Sequence, residues 1–345
     1  MNEQRQKLYQ ELDEKIGKTP LVEYDGEVPN GNKIWIKREC DNPFGSHYDR
    51  VYLALFRHYE EQERIKPGNK VLETTSGSAG VSFAGIGKIL GYHCTVAIPA
   101  AGEKARVQAI REQGAEIIFT DELRYIAGFP QFIKEFLGEH PDYFFMNHSM
   151  GKGGTNNEVT LGALEAIAKE VVTEFAPAKI EYFISAVGNG SNVLGVGRAL
   201  PTTTKIIAFE SVQSAVLYDL KFPWKYEDEF GIAPGTLPRH NLPGTSYQGI
   251  DFPHIRNAAP LVGNVILVSD AALDSAYKAY LTRHFRYGPL QLTEQLPHWD
   301  NRTIIANDLG RTTRAGLAVA LSLAEEVIEN NFLVIGYDKA ERYDK

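Results

Sequence analysis

The feature that most constrains the fold is the alternation of short apolar segments with segments of helical periodicity. KIWIKRE at 33–39 and NKVLETT at 69–75 predict strands, and residues 48–62 between them predict a helix. Strands that are separated by crossover helices form mostly parallel sheets covered by helices. The sequence therefore predicts an open α/β architecture.

The alternation continues to KIIAFES at 205–211 and is then interrupted. Proline, glycine and aromatic residues between 221 and 256 predict a long loop over a surface or a cleft. After this loop, NVILVS at 264–269 predicts a strand, which two long helices and the closing strand NFLVIGY should follow. We expect two α/β domains with a ligand cleft between them: a smaller domain at 42–150, and a larger domain formed by 1–41 and 151–345.

The composition excludes several classes of partner. The 345 residues carry 36 basic and 44 acidic side chains, and the net charge of -8 repels a nucleic-acid backbone. The apolar runs are shorter than the roughly 20 residues of a membrane span, and the N-terminus is polar where a signal peptide would be apolar. The nine histidines lack HxH and HExxH spacing, and the two cysteines fit a reducing compartment. We expect a cytoplasmic protein without nucleic-acid, membrane or metal partners.

Two loops that follow predicted strands are candidates for anion binding. ETTSGSAG at 73–80 places hydroxyls and glycines before a helix, where backbone N–H groups and the helix dipole favour a carboxylate. AVGNGSNVLGVG at 186–197 repeats the arrangement, and there phosphate is a natural ligand. For both loops, the alternative is that the polar side chains only cap the helix.

Several motifs of the chain, taken in order, resemble those of one enzyme family. This is the cysteine synthase and cystathionine β-synthase-like branch of the fold type II pyridoxal-phosphate (PLP)-dependent enzymes. The resemblance implies a two-domain α/β fold with the ligand cleft between the domains. The motifs are GKTPLV at 17–22, DNPFGSHYDR at 41–50, ETTSGSAG at 73–80, VLGVGRAL at 193–200, YQGI at 247–250 and ERY at 341–343.

The resemblance also implies roles for single positions, and several of them have changed. The family's lysine in N-P-x-G-S-x-K-D-R forms the internal aldimine with the cofactor, and its position holds Tyr48. The asparagine of the family's T-S-G-N-T-G loop falls on Ser78, and the serine that bonds the pyridine nitrogen falls on Lys339. Because a phenol cannot form an imine, we expect no covalently bound cofactor, and PLP is possible but disfavoured.

The candidate site residues fall into groups by expected role. They are Tyr48 as a catalytic acid or base; Thr75, Ser76, Gly77 and Ser78 for a ligand carboxylate; Gly188, Asn189, Gly190, Ser191 and Asn192 for phosphate or another anion; Lys339 at the former pyridine-nitrogen position; and Gln248 and Gly249 lining the pocket. Tyr48 could exchange protons if a nearby cation or imidazole lowered its pKa. The alternative is that it fills the volume left by lysine and cofactor, and we expect His47 to point elsewhere.

Three functions remain open from the sequence. The first is a pseudoenzyme that binds a small carboxylate or amino-acid-like ligand, or the C-terminus of a partner protein, since the family's synthases can bind a partner's C-terminal carboxylate. The second is cofactor-independent or altered chemistry that uses Tyr48. The third is an ordinary PLP-dependent β-replacing or eliminating enzyme, a lyase or transferase, which Tyr48 argues against. The resemblance makes a homodimer the default assembly.

Overall fold

The computed structural model describes most of the chain. The described residues are 2–100, 104–149, 155–211, 214–222, 242, 244–245, 250, 252–269, 278–283, 291–295 and 308–343. Most of the predicted loop at 221–256 lies outside these ranges, as do Gln248 and Gly249. The structure therefore leaves the predictions for those residues as they stand.

Strands and helices alternate along the described chain as the sequence predicts. The strands are β1 (Leu21–Glu23), β2 (Lys33–Lys37), β3 (Lys70–Thr74), β4 (His93–Pro99), β5 (Glu116–Thr120), β6 (Tyr143–Phe145), β7 (Tyr182–Ala186), β8 (Lys205–Ser211), β9 (Val262–Ser269), β10 (Lys278–Arg283), β11 (Gln291–Gln295) and β12 (Asn331–Ile335). The helices are α1 (Glu3–Lys15), α2 (Tyr48–Glu61), α3 (Ser78–Ile89), α4 (Lys104–Glu112), α5 (Phe129–Glu139), α6 (Thr155–Phe175), α7 (Ser191–Ala199), α8 (Val216–Lys221), α9 (Pro253–Ala258) and α10 (Arg311–Ala324).

The strands form two sheets. The smaller sheet has the order β5-β4-β3-β6 and is parallel throughout. The larger sheet has the order β1-β2-β12-β7-β8-β9-β10-β11, with a parallel centre and antiparallel strands at both edges. The predicted α/β architecture with two mostly parallel sheets is confirmed. Since the carboxyl ends of parallel strands lie at one edge of a sheet, the loops after β3, β6 and β7 can meet at a common site.

One predicted helix is wrong. The first of the two helices expected after NVILVS is replaced by β10 and β11, which pair antiparallel to one another, and β10 also pairs antiparallel to β9. Tyr280 and Thr282 within β10 are residue types that fit a pleated surface, and pairing with the edge of the sheet favours the strand over the helix. The second expected helix is present as α10.

The helices carry no membrane signal. None of the described helices combines the length and the apolar character that crossing a membrane requires.

Candidate functional site

The candidate site is a cavity at the carboxyl ends of β3, β6 and β7. The turn before α2, the loop before α3 and the loop before α7 converge on it. These three segments contain the candidate residues 48, 75–78 and 188–192 of the sequence analysis. The described residues that line it include His47, Tyr48, Thr75, Ser76, Gly77, Ser78, Arg106, His148, Gly188, Asn189, Gly190, Ser191, Asn192, Tyr337 and Asp338.

The turn that carries Tyr48 is held by buried ion pairs. Arg50 donates two hydrogen bonds to the carboxylate of Glu39 at 2.8 Å each, and two to Glu170 at 2.6 and 2.8 Å. Glu170 also lies 2.9 Å from the ammonium of Lys37. This network fixes where the turn meets α6.

Tyr48 is a packed neutral phenol rather than an activated one. Its ring lies against His47, with centroids 4.1 Å apart, and meets the His148 ring edge-on at 5.3 Å. Burial raises its pKa above the ordinary value, the charge of Glu73 raises it further, and the polar side chain of Asn189 opposes these effects only in part. The lowered pKa that an acid–base role requires is therefore not found.

The expectation that His47 points away from Tyr48 is wrong. His47 is buried, lines the same cavity and contacts the Tyr48 ring. Burial lowers its pKa to about 3, and repulsion from His148 and Arg50 acts in the same direction. His47 is therefore a neutral imidazole near neutral pH and cannot act as the nearby cation that would favour a phenolate at Tyr48.

The loop before α3 is shaped by a buried arginine. Thr75 accepts a hydrogen bond from the N–H of Gly77 at 2.9 Å. A Cβ atom on Gly77 would lie 2.4 Å from the Arg106 guanidinium, so this residue must be glycine for Arg106 to approach. The Ser78 hydroxyl donates to Asp338 at 2.7 Å, across the cavity, instead of capping α3. The loop therefore presents backbone groups at a helix start, which is an arrangement suited to a carboxylate.

The loop before α7 is partly closed by its own side chains. Gly190 has a φ of 85°, and a Cβ atom there would lie 2.5 Å from the backbone nitrogen of Ile255, so glycine is needed for both reasons. The side-chain carbonyl of Asn189 accepts hydrogen bonds from the backbone N–H of Ser191 at 2.9 Å and from the Ser191 hydroxyl at 2.6 Å. These bonds form a local turn just before α7, whose N-cap residue Gly190 is not capped by a side chain, so the structure shows no side-chain cap there.

Lys339 lies outside the cavity. Its side chain is 40% exposed, and its ammonium is 3.7 Å from Asp41. The preceding residue, Asp338, lines the cavity in its place and is 4% exposed. Consecutive residues of an extended chain point to opposite sides, so the motif located the segment but not the residue that faces the ligand.

The sequence analysis did not identify three buried polar residues that line the cavity, which are Arg106, His148 and Asp338. Arg106 from α4 lies 3.3 Å from the carboxylate of Asp338. His148, which follows β6, has its Nδ1 atom 3.1 Å from Glu73 and 3.0 Å from the Tyr52 hydroxyl. The available signal was positional, since Glu73 lies near the end of β3 and His148 follows β6, its parallel neighbour in the smaller sheet. The described residues contain no group of three potential ligands that could hold a metal ion.

Comparison with known proteins supports the resemblance. The family model described as "Pyridoxal-phosphate dependent enzyme" matches residues 12–288. This chain belongs to that family. A cysteine synthase of Staphylococcus aureus (strain Mu50) is 29% identical over 238 residues, covering 67% of this chain and 75% of the relative. A cysteine synthase of Flavobacterium sp. is 28% identical over 212 residues, covering 61% of this chain and 67% of the relative.

Solved structures agree at the level of the fold. An O-ureido-L-serine synthase has a TM-score of 0.75 at 20% identity and covers 96% of this chain and 92% of its own. A hydrogen sulfide-producing enzyme from Fusobacterium nucleatum has a TM-score of 0.76 at 22% identity, with 96% and 99% covered. The fold is therefore that of the fold type II PLP-dependent enzymes. Membership of a PLP-dependent family by itself favours use of that cofactor, against the prediction drawn from Tyr48.

Proposed function

We propose that this member of the PLP-dependent family binds a small carboxylate ligand, such as an amino acid, in its cleft without a lysine-bound cofactor. The observation that supports this proposal most strongly is that residue 48 is a tyrosine. The motif aligns this residue with the family's lysine, and its half-buried side chain lines the cavity with the ring packed against His47. The protein is either a binding pseudoenzyme or catalyses a reaction that needs no Schiff base.

The residues of the cavity do not fit a covalently held PLP. Attachment requires a primary amine, and among the described residues that line the cavity there is no lysine. Lys37 is turned toward α6, where Glu170 holds its ammonium, and Lys339 lies outside the cavity. No step of a reaction is therefore derived through the cofactor.

The carboxylate end of the ligand would bind the loop at 75–78. This loop stands at the N-terminus of α3, a helix of 12 residues, where the helix dipole favours a negative charge. Arg106 lies beneath Gly77 and adds positive charge to this end of the cavity. Asp338 would face the ammonium of an amino acid, since it is the carboxylate opposite the loop and accepts the Ser78 hydrogen bond.

A second candidate is a PLP-dependent β-replacing or eliminating enzyme that holds the cofactor noncovalently or through an unexpected lysine. Membership of the PLP-dependent family favours it. The two candidates differ in whether the protein takes up PLP. They also differ in whether a lysine becomes modified.

The experiment starts with absorbance spectra of the purified protein with and without added PLP, followed by borohydride reduction and peptide mapping. We expect no visible band that belongs to the protein and no reduced adduct on a lysine. A yellow protein with a modified lysine would establish the second candidate. The Tyr48→Lys variant is the matched control, since it asks whether the same cavity accepts a covalent cofactor once an amine is present.

The ligand is sought by thermal unfolding with a panel of amino acids, O-acylated serines and C-terminal peptides. Selective binding to the native state raises the unfolding temperature, and a ligand at 100 times its Kd contributes about 2.7 kcal/mol. Peptides in the panel test a partner's C-terminus as ligand, and size-exclusion chromatography with light scattering tests the proposed homodimer. If all panel members leave the unfolding temperature unchanged, the proposed ligand class is wrong.

A further inference from the structure

The start of α7 differs from an open anion site in one specific way. Backbone N–H groups at a helix N-terminus attract anions when they lack a protein partner. Here both the N–H and the hydroxyl of Ser191 donate to the carbonyl of Asn189. An incoming phosphate or carboxylate would have to displace that carbonyl, whose partial negative charge also opposes a second anion.

Asn189 lines the same cavity as Tyr48. Its side-chain carbonyl is occupied by Ser191, so its amide NH2 group is the part of the side chain that is left to donate to a neighbour. Opening the anion site would therefore require Asn189 to give up both bonds from Ser191.

One polar group at the start of α7 still needs a partner. The carbonyl of Asn192 accepts from Ser185 at 3.2 Å, whereas its amide nitrogen is buried and forms no hydrogen bond within the described part of the chain. Asn192 is 8% exposed and lines the cavity. A buried donor without an acceptor is costly, so this nitrogen is suited to receive an oxygen atom of a ligand.

The charges nearby disfavour a negatively charged oxygen at that place. The carboxylate of Asp338 is almost fully buried and lines the cavity, and the equally buried carboxylate of Glu73 lies 3.1 Å from the Nδ1 atom of His148, which lines it too. Arg106, the buried cation that lines the cavity, is paired with Asp338 and lies at the end of the cavity formed by the 75–78 loop. A second anion at Asn192 would be buried without a cation of its own.

We propose that the cleft is specific for a small carboxylate whose far end carries an uncharged oxygen acceptor, received by the amide of Asn192, and that Asn189 excludes phosphate from the start of α7. This inference rests on the proposed function and deepens it by naming the ligand class. An amino acid with a side-chain amide fits the description. Its acidic counterpart does not.

The test compares pairs of ligands that have nearly the same shape and differ in charge. Affinities are measured by calorimetry, and L-asparagine is compared with L-aspartate and L-glutamine with L-glutamate. L-Alanine, whose side chain has no oxygen, serves as the reference ligand. We expect the better amide ligand to bind about tenfold more tightly than alanine and than its acidic partner, because it satisfies the buried donor. Asn192→Ala removes the donor without adding a charge, so the preference for the amide ligand over alanine should vanish.

A second arm uses inorganic phosphate and does not depend on knowing the ligand. Wild-type protein should show no rise in unfolding temperature with phosphate, whereas Asn189→Ala frees the N–H and hydroxyl of Ser191 and should show one. Ser322→Ala is the control, since its hydroxyl donates to a carbonyl within α10, away from the cavity. Unfolding of each variant without ligand verifies that it is folded.

The outcomes separate the two proposals. Binding of alanine with no preference for amide ligands overturns the inference and leaves the proposed function standing. Binding of none of these five amino acids overturns the inference, and it overturns the proposed function as well if the O-acylated serines and C-terminal peptides of the panel also fail to bind. Phosphate that stabilises the wild type and Asn189→Ala equally would also overturn the inference, because Asn189 would then not close the site.

Discussion

The buried network beneath the Tyr48 turn gives a quantitative prediction for Glu170. In the Glu170→Gln variant, Arg50 and Lys37 remain buried, with exposed side-chain fractions of 6% and 1%, but lose their shared carboxylate. Removing one partner of a buried ion pair costs about 3–5 kcal/mol when the remaining charge is left uncompensated. Lys37 comes close to that case, whereas Arg50 keeps its two hydrogen bonds to Glu39, so the lower end of the range applies. We expect a loss of about 3 kcal/mol in the free energy of unfolding.

The pKa of Glu170 gives the same magnitude. Burial alone would raise this pKa, but hydrogen bonds and charge attraction from Arg50, with help from Lys37, lower it from 4.5 to about 2. That difference corresponds to about 3 kcal/mol of stabilisation of the folded state. Since the folded-state pKa is lowered, the stabilisation is complete above about pH 4.5 and is lost as the pH falls toward 2.

The assay is urea unfolding of wild type and variant at pH 7 and at steps down to pH 3. Glu174→Gln is the matched control, because Glu174 is 49% exposed and lies 3.9 Å from the same lysine, so its removal should cost about 0.5 kcal/mol or less. The wild type should approach Glu170→Gln in stability as the pH falls. Equal stability of the two variants at pH 7, or a constant gap between wild type and Glu170→Gln down to pH 3, would refute this reasoning.

Three further changes test the cavity itself. Tyr48→Phe should cost at most about 1 kcal/mol in thermal unfolding, since it removes only the hydroxyl and keeps the ring packing against His47 and His148; a much larger loss would mean that the hydroxyl does more than the contacts indicate. Gly77→Ala should destabilise by about 1–3 kcal/mol and weaken carboxylate binding, because the new Cβ meets Arg106, whereas Gly162→Ala in α6, with nothing within 4 Å, should be neutral or stabilising. Asp338→Asn should cost about 3–5 kcal/mol by leaving Arg106 buried without its carboxylate, and a loss below 1 kcal/mol in urea unfolding would contradict that pairing.

The sequence was most informative where local chemistry determines local structure. The turn motif predicted that α2 begins at Tyr48, and the alternation of patterns predicted two mostly parallel sheets. It failed at 278–283, where residues compatible with a helix pair with the edge of a sheet instead. Pairing partners that are distant along the chain are not visible in a local pattern.

The site was harder to predict than the fold, for a related reason. Lys339 and Asp338 are neighbours, and only the backbone geometry decides which of them faces the cavity. Arg106 comes from a helix that carries no recognisable motif and reaches the site through its contact with Gly77. Residues in motifs could be found from the sequence, whereas residues brought in by packing could not.

The contacts across the cavity link ligand binding to the packing of the two sheets. Ser78 and Arg106 belong to the part of the chain that forms the smaller sheet, and both bond to Asp338, which follows the last strand of the larger one. Tyr48, at the start of α2, and Asn189, just before α7, line the same cavity. A ligand that touches the 75–78 loop, Asn192 and Asp338 binds the folded arrangement in which these residues line one cavity, and it stabilises that arrangement. The stabilisation measured on ligand addition should therefore reflect the packing between the sheets as well as the ligand's own contacts.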